Sequence, residues 1–360
     1  MENCKTFEYF ASANGYSGFR SYFDTIYKSE EFEKIIILQG GPGSGKSTLI
    51  KKAASIAASY GLYHEILRCS SDTNSLDGAI IEYKNKRVAI LDGTAPHVRG
   101  QELAGVIDEI FNIGDFFNSE KLKKSKNEIF SLNFAKSDEY SKAYSELAYS
   151  SFFDINIKAE FKKRFDIKLA DEAANGVISN FSKENCDLKS KKKSVPINTR
   201  LISSFSKNGD HILDTPMHYG MRTVSISGDF GEELILIKHL ADRLKSKGFS
   251  TLEFPCALDE NYLDCLICDE LSLCITTLKN GSLSINANEF FGGGFKSLIT
   301  DIKRLIDLRE EFKNNAVSHL RSAAEYHAEL EKIYTPCIDF ASMDKKAQII
   351  YEKLFSSLNI

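Results

Sequence analysis

Gly40-Gly41-Pro42-Gly43-Ser44-Gly45-Lys46-Ser47 fits the spacing G-x-x-x-x-G-K-[ST] at every fixed position. Residue types in this order suit the binding of a polyphosphate. Glycines let the backbone turn and bring its N–H groups against phosphate oxygens with no Cβ in the way. A helix that starts here adds unpaired N–H donors and partial positive charge. Lys46 is then expected to reach the β- and γ-phosphates, the Ser47 hydroxyl to ligate Mg²⁺, and Thr48 to donate to the α-phosphate. The elements that must position this loop are legible too. Residues 35–38 are an apolar, β-branched run of strand length, and residues 46–59 are helix-forming.

Through residues 40–48 the chain resembles the P-loop NTPase superfamily. The resemblance implies a nucleoside triphosphate, ATP or GTP, bound with Mg²⁺. It also implies an acidic residue at the end of a neighbouring strand that holds the metal through water. Arg87-Val88-Ala89-Ile90-Leu91-Asp92 supplies that residue as Asp92, although Asp92-Gly93 is also a good turn pair. The whole chain resembles a little-characterised bacterial family of duplicated P-loop ATPase-like proteins. The segments that carry this are residues 40–48, Cys69-Ser70-Ser71-Asp72 with Ser75-Leu76-Asp77-Gly78, and Leu91-Asp92-Gly93-Thr94-Ala95-Pro96-His97.

The chain repeats itself. A shift of 187 residues aligns 49–81 with 236–268, with twelve identities in 33 gapless positions, among them Cys69/Cys256, Asp72/Asp259 and Asp77/Asp264. Chance would give roughly two. Asn14-Gly15 is similar to Asn208-Gly209. The expected fold class is α/β, as two tandem P-loop-type parallel-sheet, doubly wound halves with appended helices. Residues 1–194 form the active half, with a helical insertion over about 102–193, and residues 195–360 the degenerate half. The junction falls in the lysine-rich stretch before Pro196. The repeat offset puts Glu232 on Gly45, Glu233 on Lys46 and Leu234 on Ser47, and a shift of 185 puts Thr277 on Asp92. Two carboxylates at the place of a triphosphate repel it, by about 4 kcal/mol per pair of unit charges at 4 Å and an effective dielectric of 20. The second half is therefore expected to hold no nucleotide in this mode and to cover the first site, donate residues to it or carry a protein partner.

Composition sets outer bounds. The 360 residues are 42% hydrophobic and 27% charged, with a net charge of -4. That is ordinary for a globular chain, and no run reaches the length a membrane helix needs. The N-terminus lacks a signal-peptide pattern, and a cytosolic location is expected. Lys162-Lys163-Arg164 and the lysines at 189–193 are short and read as a solvated helix face and a linker rather than a nucleic-acid surface. Cys256, Cys265, Cys268 and Cys274 include a C-x-x-C pair, half of a possible zinc site. Their neighbours Leu263, Leu266, Ile267, Leu271 and Ile275 mark buried strands in which cysteine packs as a small apolar residue.

The reaction stays open between three readings. Many ATP-hydrolysing P-loop proteins carry a glutamate beside the metal-binding aspartate, and here Gly93 follows Asp92. A modest ATPase would orient water with another residue, such as Asp72, read as ending a strand beside the first. A kinase would pass the γ-phosphate to a small molecule or nucleotide under a helical lid from residues 102–193. A binding module would hold ATP unchanged. His97 and Arg99 follow Asp92 on a loop where ligand contacts gather in open α/β sheets, and Tyr16 and Phe19 are candidates to stack on the base, with core packing as the plainer reading.

Overall fold

The computed structural model describes residues 6–96, 98–184, 199–292 and 294–360. His97, the lysines at 189–193 and the expected junction lie outside them. From the N-terminus the chain forms β1 (Thr6–Phe10), the hairpin β2 (Ser12–Gly15) and β3 (Gly18–Ser21), and α1 (Phe23–Ile26). Next come β4 (Lys34–Gln39), α2 (Lys46–Ser59), β5 (Tyr63–Arg68), β6 (Leu76–Tyr83), β7 (Lys86–Asp92) and β8 (Asp108–Asn112). Helices α3 (Ser119–Lys124), α4 (Lys126–Arg164) and α5 (Ile167–Glu184) follow. A second hairpin, β9 (Ser203–Ser206) and β10 (Gly209–Ile212), leads into β11 (Arg222–Ser227), α6 (Glu232–Ser246) and β12 (Leu252–Pro255). The chain ends with β13 (Leu263–Cys268), β14 (Leu273–Thr276), β15 (Leu283–Asn286), α7 (Phe295–Tyr334) and α8 (Phe340–Ser356).

The fold is mixed α/β, with sheets that contain parallel strands. Their orders are β1-β5-β6-β7-β4-β8 and β12-β13-β14-β11-β15. Beyond β1 the two share order and sense: two antiparallel pairings, then two parallel ones. A wholly parallel sheet is therefore not what forms. β6 and β7 are joined by Lys84 and Asn85 alone, both at positive φ (48° and 65°). A two-residue turn of that hand joins antiparallel neighbours, whereas a parallel pair needs a crossover of a dozen residues or more. The two small hairpins also correct the sequence alignment. Gly15 pairs with Gly18 and Ser206 with Gly209, so the left-handed turn residues Gly18 and Gly209 are the equivalents, rather than Gly15 and Gly209.

Strand alternation divides the core into layers. On β4, Ile36 and Leu38 face one apolar cluster with α2, and Ile35 and Ile37 face another. In that second cluster Tyr9, Leu67, Ile80 and Leu91 of the first sheet meet Phe254, Cys265, Ile267 and Cys274 of the second. The sheets thus pack face to face, with the short α1 (Phe23, Ile26) in the layer between them and the long helices on their outer faces. This replaces the doubly wound expectation, because the inner faces are buried by each other.

The outer helices cross between halves. Residues 108–112 of the expected helical insertion are β8, an edge strand of the first sheet. Ile157 and Phe161 of α4 and Ala170, Ala174 and Val177 of α5 join the core of the second sheet. Met343, Ala347, Ile350 and Leu354 of α8 close the core of the first. Packing therefore does not follow a division at 194/195. Helices α4 and α7, of 39 and 40 residues, are antiparallel partners: Phe161 stacks on Phe295, Asp154 pairs with Arg309, and Glu139 with His319. At 1.5 Å per residue each spans about 60 Å, enough to touch both sheets. No helix among the described residues is long and apolar enough to cross a membrane.

Leu354 is fully buried although it lies some 300 residues from β4. Leu354→Ala is expected to cost about 2–5 kcal/mol in denaturant unfolding. Amide exchange should quicken in β4 and β7 before β11. A cost under about 1 kcal/mol would show that α8 is not part of the first core.

Candidate functional site

The loop 40–45 joins β4 to α2 where two parallel neighbours converge. Register sets Leu38 opposite Asp92, so the end of β7 lies beside the start of the loop. Gly43 (φ 62°) and Gly45 (φ 86°) take the left-handed conformations that turn the chain into α2. The Lys46 ammonium folds back over the loop, donates to the Gly40 and Gly41 carbonyls (2.8 and 3.0 Å), and lies 3.7 Å from the Asp92 carboxylate. The Ser44 hydroxyl is buried, with no partner among the described residues. A buried hydroxyl in that condition costs about 1–3 kcal/mol, which a phosphate oxygen would recover.

Ser47 and Asp92 provide hard oxygen donors, one in the first turn of α2 and one at the end of β7. The Ser47 hydroxyl accepts from the Leu76 N–H (3.0 Å). Asp92 accepts from the Thr94 N–H and hydroxyl (2.9 and 2.6 Å). Burial pushes the Asp92 carboxyl above its ordinary value, and Lys46 and Thr94 only partly offset that. A carboxylate held this way favours a nearby cation, so the donor set fits Mg²⁺.

Sequence reasoning missed what the second half adds here. The Tyr334 ring lies against Gly41, where a Cβ would come within 2.9 Å of it, and Thr335 donates to the Gly43 carbonyl (3.2 Å). Lys207, on the turn between β9 and β10, pairs with Asp72 at 3.5 Å. Burial and the nearby charges of Lys136 and Lys46 push the His327 imidazole down to about 4. Burial, then Lys46, lowers Lys136 as well. Lys46, Lys136, Lys207 and His327 thus gather at one place from α2, α4, the β9–β10 turn and α7. Each of the last three is an isolated residue on a polar stretch, and no local spacing marks it.

Other expected residues are placed elsewhere. β6 and β7 lie between β5 and β4, so Asp72 does not end a strand beside the first. Its carboxylate accepts from the Asn74 N–H and pairs with Lys207. Arg99 is buried, with its guanidinium on Ser29 and Asp108 at the β8 edge. Tyr16 donates its N–H to the Leu258 carbonyl and lines a cavity in the second half, away from a base stacked at residues 40–48. Lys163 pairs with Glu160 and Arg164 with Asp301, as on a solvated helix face. Cys265 and Cys268, three apart on β13, point to opposite faces of the sheet. No metal-holding group of three His, Cys, Asp or Glu exists among the described residues.

In the corresponding loop of the second half the chain supplies its own anions. Glu232 accepts from the Asp229 and Phe230 N–H groups (3.0 and 2.9 Å), and Glu233 from the Gly231 N–H (3.1 Å). Burial, reinforced by Glu232, pushes the Glu233 carboxyl up to about 7. Comparison with known protein families, characterised proteins and solved structures finds no match to this chain.

The raised carboxyl of Glu233 makes folding take up a proton near neutrality. Its contribution is fully present below the ordinary value of 4.5 and is lost as pH rises to about 7. Glu233→Gln removes that loss. It is expected to stabilise the chain by about 2–3 kcal/mol at pH 8 and to change little at pH 4.5, measured by urea unfolding. An equal effect at both pH values would refute the buried, partly protonated carboxyl.

Proposed function

We propose that this chain is a P-loop nucleoside triphosphatase in which one half binds ATP or GTP with Mg²⁺ and the other completes the site. On this reading the two sheets are tandem P-loop-type halves, the second degenerate; their common strand order and sense support it. The observation that carries the proposal is the loop itself. Lys46 lies over the Gly40 and Gly41 carbonyls within 3.7 Å of Asp92, beside the unpartnered Ser44 hydroxyl.

The loop N–H groups and the N-terminus of α2 take the phosphate oxygens. Lys46 exchanges its two carbonyl partners for β- and γ-phosphate oxygens. Ser47 and Asp92 would hold Mg²⁺, which neutralises charge on the phosphates when bound. Lys136 and Lys207 add positive charge from α4 and from the second half, while His327 stays neutral at pH 7 and serves as a hydrogen-bonding group. Turnover is modest, since Gly93 rather than an acid follows Asp92 and the Asp72 carboxylate is engaged by Lys207.

Radiolabelled ATP with the purified chain and Mg²⁺ tests this. Release of labelled phosphate is expected. Transfer of label to an added acceptor, or tight binding with neither outcome, would replace hydrolysis by phosphoryl transfer or by simple binding. Lys46→Ala should remove binding or turnover, at least a hundredfold, and Lys207→Ala should slow turnover about tenfold with the chain still folded. Glu233→Gln should leave both intact. Equal losses from Lys46→Ala and Glu233→Gln would overturn the assignment of the active half.

A further inference from the structure

Helices α4 and α7 each follow an edge strand, β8 or β15, and match one another at a shift of 173 residues. At that shift the buried positions coincide: Ala143 with Ala316, Leu147 with Leu320, Ser150 with Ala323 and Ile157 with Leu330. Phe161 and Tyr334, equivalent by the same shift, each stand edge-on to a phenylalanine that follows an edge strand. Those partners are Phe291 at 5.4 Å and Phe117 at 5.7 Å. The shift also places Lys136 on Arg309 and Asp154 on His327. Because the helices are antiparallel, each cation meets the other helix: Arg309 faces Asp154, and Lys136 faces His327.

In the second half Arg309 is fully engaged. It donates to the Phe230 carbonyl of the loop 228–231 (2.7 Å) and pairs with Asp154 (3.0 Å). A Cβ on Gly231 would lie 3.7 Å from its guanidinium, so this position reaches the start of α6. Lys136 holds the equivalent place at residues 40–48. The end of α7 lies on that loop, with Glu331 against Gly43 and Tyr334 against Gly41, and His327 is one turn before Glu331. Tyr140, one turn along α4 from Lys136, reaches the Ser71 side chain beside Asp72.

With histidine in the place of Asp154, the opposing carboxylate is lost. Lys136 is half-buried and has no ion pair or hydrogen bond among the described residues, and Lys46 is close enough to weaken its hold on a proton. The neighbouring cations differ. Lys46 is held by two carbonyls and Asp92, and Lys207 by Asp72. Two ammonium groups brought together repel unless an anion stands between them. A phosphate oxygen is a strong partner for a lysine that has lost its carboxylate.

We propose that Lys136 holds the terminal phosphate of the bound nucleotide, so that the site prefers a triphosphate to a diphosphate. This rests on nucleotide binding at residues 40–48. The α- and β-phosphates stay on the loop N–H groups, which do not distinguish the two nucleotides, and Lys136 acts only on the third. In the second half Asp154 and the Phe230 carbonyl take up the equivalent cation, in keeping with a loop whose N–H groups are filled by Glu232 and Glu233.

Calorimetric titration of the full-length chain with Mg²⁺ and either ADP or the β,γ-imido analogue of ATP tests it. The wild type is expected to bind the analogue about tenfold tighter than ADP or better. Lys136→Ala should weaken the analogue about tenfold and ADP less than about twofold, whereas Lys136→Arg should keep the preference. His327→Asp, which gives Lys136 the partner that Arg309 has, should also remove most of the preference. Thermal melting checks that each variant folds; if Lys136→Ala does not, His327→Asp decides. Equal losses for both nucleotides, an unchanged preference in the variants, or a wild type without the preference overturns the role of Lys136. A wild type that binds neither nucleotide overturns the site at residues 40–48 itself, a result distinct from the failure of Lys136 alone.

Discussion

Each sheet has an outer apolar face that its own half of the chain leaves partly bare. The face that Ile36, Leu38, Val88 and Ile90 present is closed by α8, the last helix of the chain. The face that Val224, Ile226, Leu266 and Ile275 present is closed by α4 and α5, which precede the second sheet in sequence. Burial of this exchanged surface is the constraint from which the rest follows. It holds the sheets face to face, fixes α4 and α7 as crossing partners, and brings residues of each half to the loop of the other.

The exchange makes both loops composite. At residues 40–48 the covering groups are Tyr334, Thr335 and Lys207, with Lys136 from α4. At residues 228–231 they are Asp154, Lys158, Arg309 and the Tyr16 turn. The same helices serve both, so α4 carries Lys136 toward one site and Asp154 and Lys158 toward the other. A common scaffold thus supports different electrostatics. Lys46, Lys136 and Lys207 stand with the carboxylates of Asp92 and Asp72 around the first loop, and carboxylates exceed cations around the second.

The two loops also show how a donor cradle is satisfied. Backbone N–H groups pointing into a turn demand an acceptor. In the second half Glu232 and Glu233 provide it within the chain, which costs the burial of two like charges and is relieved by partial protonation of Glu233. In the first half glycine and lysine stand at the equivalent positions. There the ammonium of Lys46 covers the Gly40 and Gly41 carbonyls, and the Ser44 hydroxyl has no partner among the described residues.

The sequence by itself determined the local chemistry. Glycine spacing, Lys46 and the 35–38 run specify a strand, a turn with left-handed residues and a helix start, because each depends on neighbours a few residues away. The 187-residue repeat showed which second-half residues replace them. β6 was hidden, since its apolar run is short and the turn at Lys84 and Asn85 carries no glycine, and the apolar run of β13 did not reveal its antiparallel sense. Only the tertiary structure decided which helix covers which sheet, that the sheets bury one another, and that Lys136, Lys207 and His327 meet at Lys46. Those outcomes depend on contacts between residues dozens to hundreds of positions apart, where the apolar stripe of a helix states that it must be buried but not against what.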